Sequence, residues 1–169
     1  ALTAIRQISE MQVDVPMLAM THCDASKLAK QHGEKSEYAL CAAQWHKTLS
    51  YSDEFFGNGI QFDKEFNDMY GYAPPYQAAE SAAALLVYKA AFEKANSFDK
   101  EKVRDALAQT DMQTFYGNIK FSDTGQNIAK PMVLFQVRCE GGECANRVVA
   151  PTKWASHELV HPIPSWSDR

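Results

Sequence analysis

The stretch from Pro75 to Ala95, PYQAAESAAALLVYKAAFEKA, limits the possible folds of this chain more than any other. Alanine fills eight of its twenty-one positions. Alanine has the best helix propensity, and no glycine or internal proline breaks the run. Pro75 suits a first helical turn, where its missing N–H costs nothing. Asn96 and Ser97 follow as a stop. Leu85, Leu86, Val87, Tyr88 and Phe92 spread apolar bulk almost all round, with Lys89, Glu93 and Lys94 near the end. Such a helix is expected inside a larger α/β body, with its small residues letting another element come close. Its unbroken apolar run, Ala82 to Tyr88, is far too short to cross a bilayer.

The remaining composition sets wide bounds. At 169 residues the chain is long enough for a sizeable core. Its net charge of −4 gives no basic footprint for nucleic acid. Ala1 opens into amphipathic sequence without the pattern of an export signal. The four cysteines are too few for a disulfide-dependent scaffold at this length.

Period and punctuation give the order of elements. Leu2, Ile5 and Ile8 share one face of a helix over Ala1–Met11. VPMLAM, Val15–Met20, reads as a short buried strand. A polar loop, Thr21–Asp24, leads to a helix over Ala25–His32 closed by Gly33. YALCAA, Tyr38–Ala43, is a second strand. Helix, strand, helix, strand argues for a parallel sheet. Gln44–Asn58 is a loop with two aromatic pairs. Ile60–Tyr70 is a helix with Phe62, Phe66, Met69 and Tyr70 on one face. Asp99 caps a helix over Lys100–Gln109. Phe115–Phe121 is a strand bending at Gly117, and Ser122–Gln126 is a turn. Pro131–Arg138 and Asn146–Ala150 form a hairpin around Glu140–Glu143. From Pro151 the tail is an ordered surface arm.

Taken together, FNDMYGYAPPYQAAESAAALLVYKAAFEKANSFDKEKVRDALAQT, TFYGNIKFSDTGQN, KPMVLFQV, RVVAP and HPIPSW resemble the type I periplasmic solute-binding proteins. The similarity is to the branch serving ABC importers of branched-chain amino acids and amides. The order and spacing of these segments carry it. The resemblance implies a partial type I periplasmic-binding-protein fold: α/β, parts of two lobes, mostly parallel sheets flanked by helices. Residues 1–44 and 133–169 would belong to the second lobe, and 45–132, with the helix at 75–95, to the first. Hinges would fall near Gln44–His46 and Lys130–Val133. Members of the family are longer, so the chain reads as a C-terminal half.

Ligands of open α/β sheets sit beyond the carboxyl ends of strands. In amino-acid-binding members a carboxylate in the loop after VPMLAM holds the ligand's ammonium group. The matching position here is Thr21, a neutral residue. Asp24 could take over that role, with His22 beside it; an ordinary helix cap by Asp24 is the alternative. Trp45 and His46 fall at the first hinge, either as ligand contacts or as inter-lobe packing. His22, Cys23 and Asp24 are consecutive and do not surround one ion. No metal, cofactor or catalytic constellation is expected.

Cys139 and Cys144 flank the hairpin tip CEGGEC. Opposed residues there approach to roughly 4.5 Å between Cα atoms, within disulfide reach, so a bridge is expected. A second bridge between Cys23 and Cys41 stays open.

The expected function is a periplasmic solute-binding component of an ABC importer, taking amino acids, amides or a related small organic solute. The alternative is a ligand-sensing module of the same fold. The expected partners are a small-molecule solute, an ABC permease and, for this chain, a second copy in a homodimer. Missing sheet neighbours and the apolar helix motivate the dimer.

Overall fold

The computed structural model describes residues 2–21, 25–130 and 132–169. In chain order the elements are α1 (Leu2–Glu10), β1 (Ala19–Met20), α2 (Ala25–His32), β2 (Leu40–Ala43), β3 (Ser52–Asp53) and β4 (Gly57–Asn58). Then come α3 (Gly59–Tyr70), α4 (Tyr76–Ala95), α5 (Lys100–Ala108), β5 (Asp111–Thr114), β6 (Gly117–Lys120), β7 (Val133–Glu140) and β8 (Glu143–Ala150). They form two compact units, Ala1–Gln44 with Met132–Arg169, and Trp45–Pro131.

The first unit is built on a four-stranded sheet in the order β1-β2-β7-β8. Helix α2 connects β1 to β2, which lie parallel, as a parallel pair requires a crossover. The expectation of mostly parallel strands is corrected here: β2–β7 and β7–β8 are both antiparallel. Only one crossover exists among the described residues, and the other two strands arrive as a hairpin. Its tip is Gly141-Gly142, with φ of 61° and 84°. A two-residue turn with both φ positive matches the twist of the flanking strands, and glycine meets that demand without strain. Cys139 and Cys144 are in register and joined by a disulfide, with Cα atoms 4.0 Å apart. Cys41 is also disulfide-bonded, while Cys23 lies outside the described residues.

Ile5, Leu28, Leu40, Val133, Val137 and Val148 form the buried interior of this unit. Gln136 is buried among them with no exposed surface. Its Nε2 donates to Tyr38 O (3.3 Å) and Val160 O (3.0 Å), and its Oε1 accepts the Val160 N–H (2.9 Å). These bonds hold the tail against β7. Further along, the Trp166 N–H donates to Asp14 Oδ1 and its indole N–H to Val13 O. The tail is thus an ordered arm with two short 3₁₀ turns, Thr152–Trp154 and Trp166–Asp168.

The strand expected over Val15–Met20 contracts to Ala19–Met20. Pro16 has no N–H to give to a ladder, and Met17 is half exposed. Likewise Tyr38, with φ of 65°, falls outside β2, which starts at Leu40.

The second unit holds α3, α4, α5 and two small ribbons, β3–β4 and β5–β6. Both ribbons depart from the expected pattern. The segment Gln44–Asn58 contains β3 and β4, and Phe115–Phe121 keeps only β6, paired with β5. Phe115-Tyr116 makes the turn between them, and Gly117, with φ of 145°, sits at the expected bend. Helix α3 starts one residue early, at Gly59, behind a capping box: Asn58 Oδ1 accepts the Gln61 N–H, and Gln61 Oε1 accepts the Asn58 N–H. A side chain at 59 would meet Lys47 O at 2.7 Å.

Helix α4 runs Tyr76–Ala95 with Pro75 as its cap residue rather than inside the first turn. Asn96 ends it in the left-handed region. Ala79, Ala83, Leu86, Val87 and Ala91 are buried. Ala91 and Ala95 pack closely with Val103, Ala106 and Leu107 of α5. Burial all round is not found: Leu85 and Tyr88 are 69% and 50% exposed. Packing within the unit covers one side of the helix. No described helix is long and apolar enough to cross a membrane.

Candidate functional site

In the first unit Thr21 follows the last residue of β1 directly and is exposed. A strand end of this kind leaves the Thr21 hydroxyl available for a polar ligand. His22 and Asp24, the other loop candidates, lie outside the described residues.

Trp45 and His46 open the second unit. Trp45 is buried, at 4% exposure. Its ring meets Phe62 and Phe115 edge-on, with centroids 5.8 and 6.0 Å apart. Its indole N–H donates to Phe115 O at 3.4 Å. Edge-to-face pairs of this sort add to burial because ring edges are positive and faces negative. Asp53 organises the same cluster: one carboxylate oxygen accepts the N–H groups of Phe55 and Phe56, the other that of Phe115. Trp45 is therefore an anchor of its own unit's core.

His46 is positioned by that anchor and is half-buried. Its Nδ1 lies 2.8 Å from Thr48 Oγ1 and accepts the Thr48 N–H at 3.4 Å. These partners assign the lone pair to Nδ1, so the neutral ring carries its proton on Nε2. Burial pushes the imidazole down to about 4, and the Lys47 ammonium adds to the shift, with Asp63 opposing it. At neutral pH His46 is an uncharged donor and acceptor. It can hydrogen-bond a ligand or backbone group without adding charge.

A further group went unnoticed in the sequence. The Lys130 ammonium lies over the ring of Tyr116, 3.2 Å from its centroid. Burial lowers its pKa to about 7, with Glu80 opposing. Burial raises the Tyr116 phenol, and Glu80 and Tyr76 add to that. The stem of Lys130 crosses Gly117, where an added Cβ would fall 2.8 Å from two of its carbons. Gly117 within FYGN was legible as a bend. The lysine that uses the vacated space comes from thirteen residues further on and left no local signal.

The second unit also carries an open cavity of about 370 Å³ beside α4, lined by Asp53, Phe55, Leu86, Lys89, Met112 and Gln113 among others. Neither Trp45 nor His46 lines it. Among the described residues no group of three His, Cys, Asp or Glu is placed to hold a metal ion.

Comparison with known proteins adds the following. The family described as "Periplasmic binding protein" matches residues 1–143. The leucine-binding protein of Thermotoga maritima is similar at 24% identity and a TM-score of 0.68, over 89% of this chain and 41% of that one. A branched-chain amino acid transporter substrate-binding protein from Streptococcus pneumoniae, solved with isoleucine, gives 17% and 0.65 over 89% and 42%. The leucine-, isoleucine-, valine-, threonine- and alanine-binding protein of Brucella ovis, in its closed conformation, gives 12% and 0.71 over 96% and 43%. The chain spans about two fifths of the length of these solved chains.

Proposed function

The chain belongs to the periplasmic binding protein family, and from that premise we propose that it serves as part of the substrate-binding component of an ABC importer for amino acids, amides or related small solutes. The observation that carries this reading is the shared fold over 89% of the chain with the Thermotoga maritima leucine-binding protein. The family is a solute-binding one, and no reaction is assigned to the chain. Its setting is extracytoplasmic, and the Cys139–Cys144 bridge suits an oxidising compartment. The permease of such an importer is the proposed membrane partner.

Ala1–Gln44 with Met132–Arg169 is proposed to be the second-lobe portion, and Trp45–Pro131 the first-lobe portion. Thr21 and His46 are the proposed ligand contacts among the described residues, with Trp45 fixing the backbone ahead of His46. His22 and Asp24 complete the set outside them. A neutral Thr21 favours solutes that do not depend on a carboxylate for their ammonium group, such as amides. The chain alone is proposed to pair with a second copy of itself.

Amide-resolved NMR titration of the chain with branched-chain amino acids, aliphatic amides and glucose tests the reading. Saturable shifts at Thr21 and His46 are expected from amino acids or amides and not from glucose. Because the chain holds part of the fold, Kd should be weaker than about 100 µM, or about −5.5 kcal/mol. No saturable shift up to about 10 mM, or about −2.7 kcal/mol, would sink the assignment.

A further inference from the structure

Cys41 has no exposed surface, and it is disulfide-bonded. The chain has four cysteines, at 23, 41, 139 and 144. Cys139 and Cys144 hold each other. Elimination leaves Cys23, outside the described residues, as the cysteine that can partner Cys41. A second copy of the chain is a poor source, because a sulfur buried inside the sheet offers nothing to a thiol from outside.

Register and reach agree with this pairing. Met20 lies opposite Cys41 in the parallel pair of β1 and β2. Neighbouring strands run about 4.8 Å apart. Cys23 is three residues beyond Met20, so its Cα is at most about 10 Å from that of Met20. A disulfide needs Cα atoms about 4.4–6.8 Å apart, which a three-residue reach from the adjacent strand can meet.

The link would act where the fold gives little support. Strand β1 has two residues, Ala19 and Met20, and stands at the outer end of the sheet order with β2 as its neighbour. Thr21 follows it directly and is exposed. A ligand contact on so short an edge strand has to be ordered on binding, and that ordering costs affinity. A covalent link two residues after Thr21 removes part of that cost in advance. Strand β2 is a firm anchor, paired with β1 on one side and with β7 on the other, where Cys41 faces Phe135.

We infer that Cys41 is bridged to Cys23 and that the bridge is a positioning device for Thr21, holding the end of β1 ready for a ligand. The second half rests on the reading of Thr21 as a ligand contact. In forming the bond, the two thiols give up two protons and two electrons to a disulfide-bearing oxidant, which leaves as two thiols.

Tryptic digestion without reductant, after alkylation of free thiols, tests the bridge. Gln7–Lys27 and Ser36–Lys47 should appear as one linked species that reductant splits, while the other bridge stays within Cys139–Arg147. Alkylated Cys41, or two Ser36–Lys47 peptides linked to each other, overturns the inference. Cys23→Ser tests the positioning role, with Cys23→Ala/Cys41→Val in its place should the first variant not fold. The order parameter of the Thr21 amide should fall from about 0.85 to below about 0.6, with β7 and β8 amides unchanged. The Kd for branched-chain amino acids or aliphatic amides should rise about 10-fold or more, the scale of ordering one backbone residue on binding. Cys139→Ser/Cys144→Ser should change neither value. An unmoved Thr21 order parameter overturns the positioning role. Absence of saturable ligand shifts at Thr21 in the wild type sinks the ligand reading instead, and the linked peptides and the order parameter still decide the bridge.

Discussion

Replacing Gln136 by leucine should loosen the tail from β7 and leave the second unit intact. The side chain has no exposed surface and forms three hydrogen bonds, two through Nε2 and one through Oε1. Leucine fills similar space, so the change creates little cavity. It strands Tyr38 O, Val160 O and the Val160 N–H. Each buried polar group left unpaired costs about 1–3 kcal/mol. Val160 is half-buried and can recover water at one of its groups. The extra apolar burial returns about 1 kcal/mol. With two groups left unpaired, the net loss is then about 1–5 kcal/mol. Urea unfolding followed through Trp154 and Trp166, which report the first unit, should show it. Trp45, in the second unit, should report an unchanged transition. Hydrogen exchange at the Val160 amide should accelerate more than at β7 amides, because the tail detaches first. A loss below about 0.5 kcal/mol, or unchanged Val160 protection, would refute the account of Gln136 as the tail's anchor, since surface substitutions alone stay within that range.

Three other outcomes are expected. His46 should titrate near 4 by NMR. Because its folded pKa lies below the unfolded value of about 6.5, the protein should lose stability as pH falls from about 6.5 to 4, by at most about 3 kcal/mol; a midpoint above 6 would contradict this. Gly117→Ala should destabilise by about 1–3 kcal/mol, since φ of 145° and contact with the Lys130 stem both resist a Cβ. It should also move the Lys130 amine from about 7 toward its ordinary value, and an unmoved Lys130 Cε titration would argue against the packing described. Intact-mass analysis should show Cys139–Cys144 oxidised without reductant. The double serine variant should lose about 2 kcal/mol as the chain-entropy model gives for so small a ring, and a variant of unchanged stability would mean that the Gly141-Gly142 turn alone holds the hairpin.

The sequence alone determined what depends on nearby residues. The alanine-rich run fixed α4, because propensity summed over twenty residues outweighs any single contact. Asp99 as a cap, Gly117 as a bend and the Gly-Gly hairpin tip were readable because their demands are local: a side-chain oxygen for bare N–H groups, or a positive φ. The CEGGEC spacing fixed the cysteine register for the same reason. The segment order carried the family likeness, since it records the topology.

The tertiary structure decided everything set by distant partners. Ala19–Met20 is the only part of VPMLAM that forms a strand, because pairing depends on which strand lies alongside and on Pro16, which cannot donate. The sheet is mixed because β7 and β8, more than a hundred residues after β1, join it as a hairpin. Trp45 reads in the sequence as a ligand contact or as inter-lobe packing; Phe62 and Phe115, remote in sequence, enclose it within its own unit. Gln136 reads as an unremarkable strand residue until Tyr38 and Val160 supply its partners. Lys130 acquires its lowered pKa from Tyr116 and from burial, neither of which a lysine in a loop announces. Local periodicity records the preference of each segment for a helix or strand. Burial, pairing and charge at a site arise only when segments distant in the chain meet, and that information is in the fold.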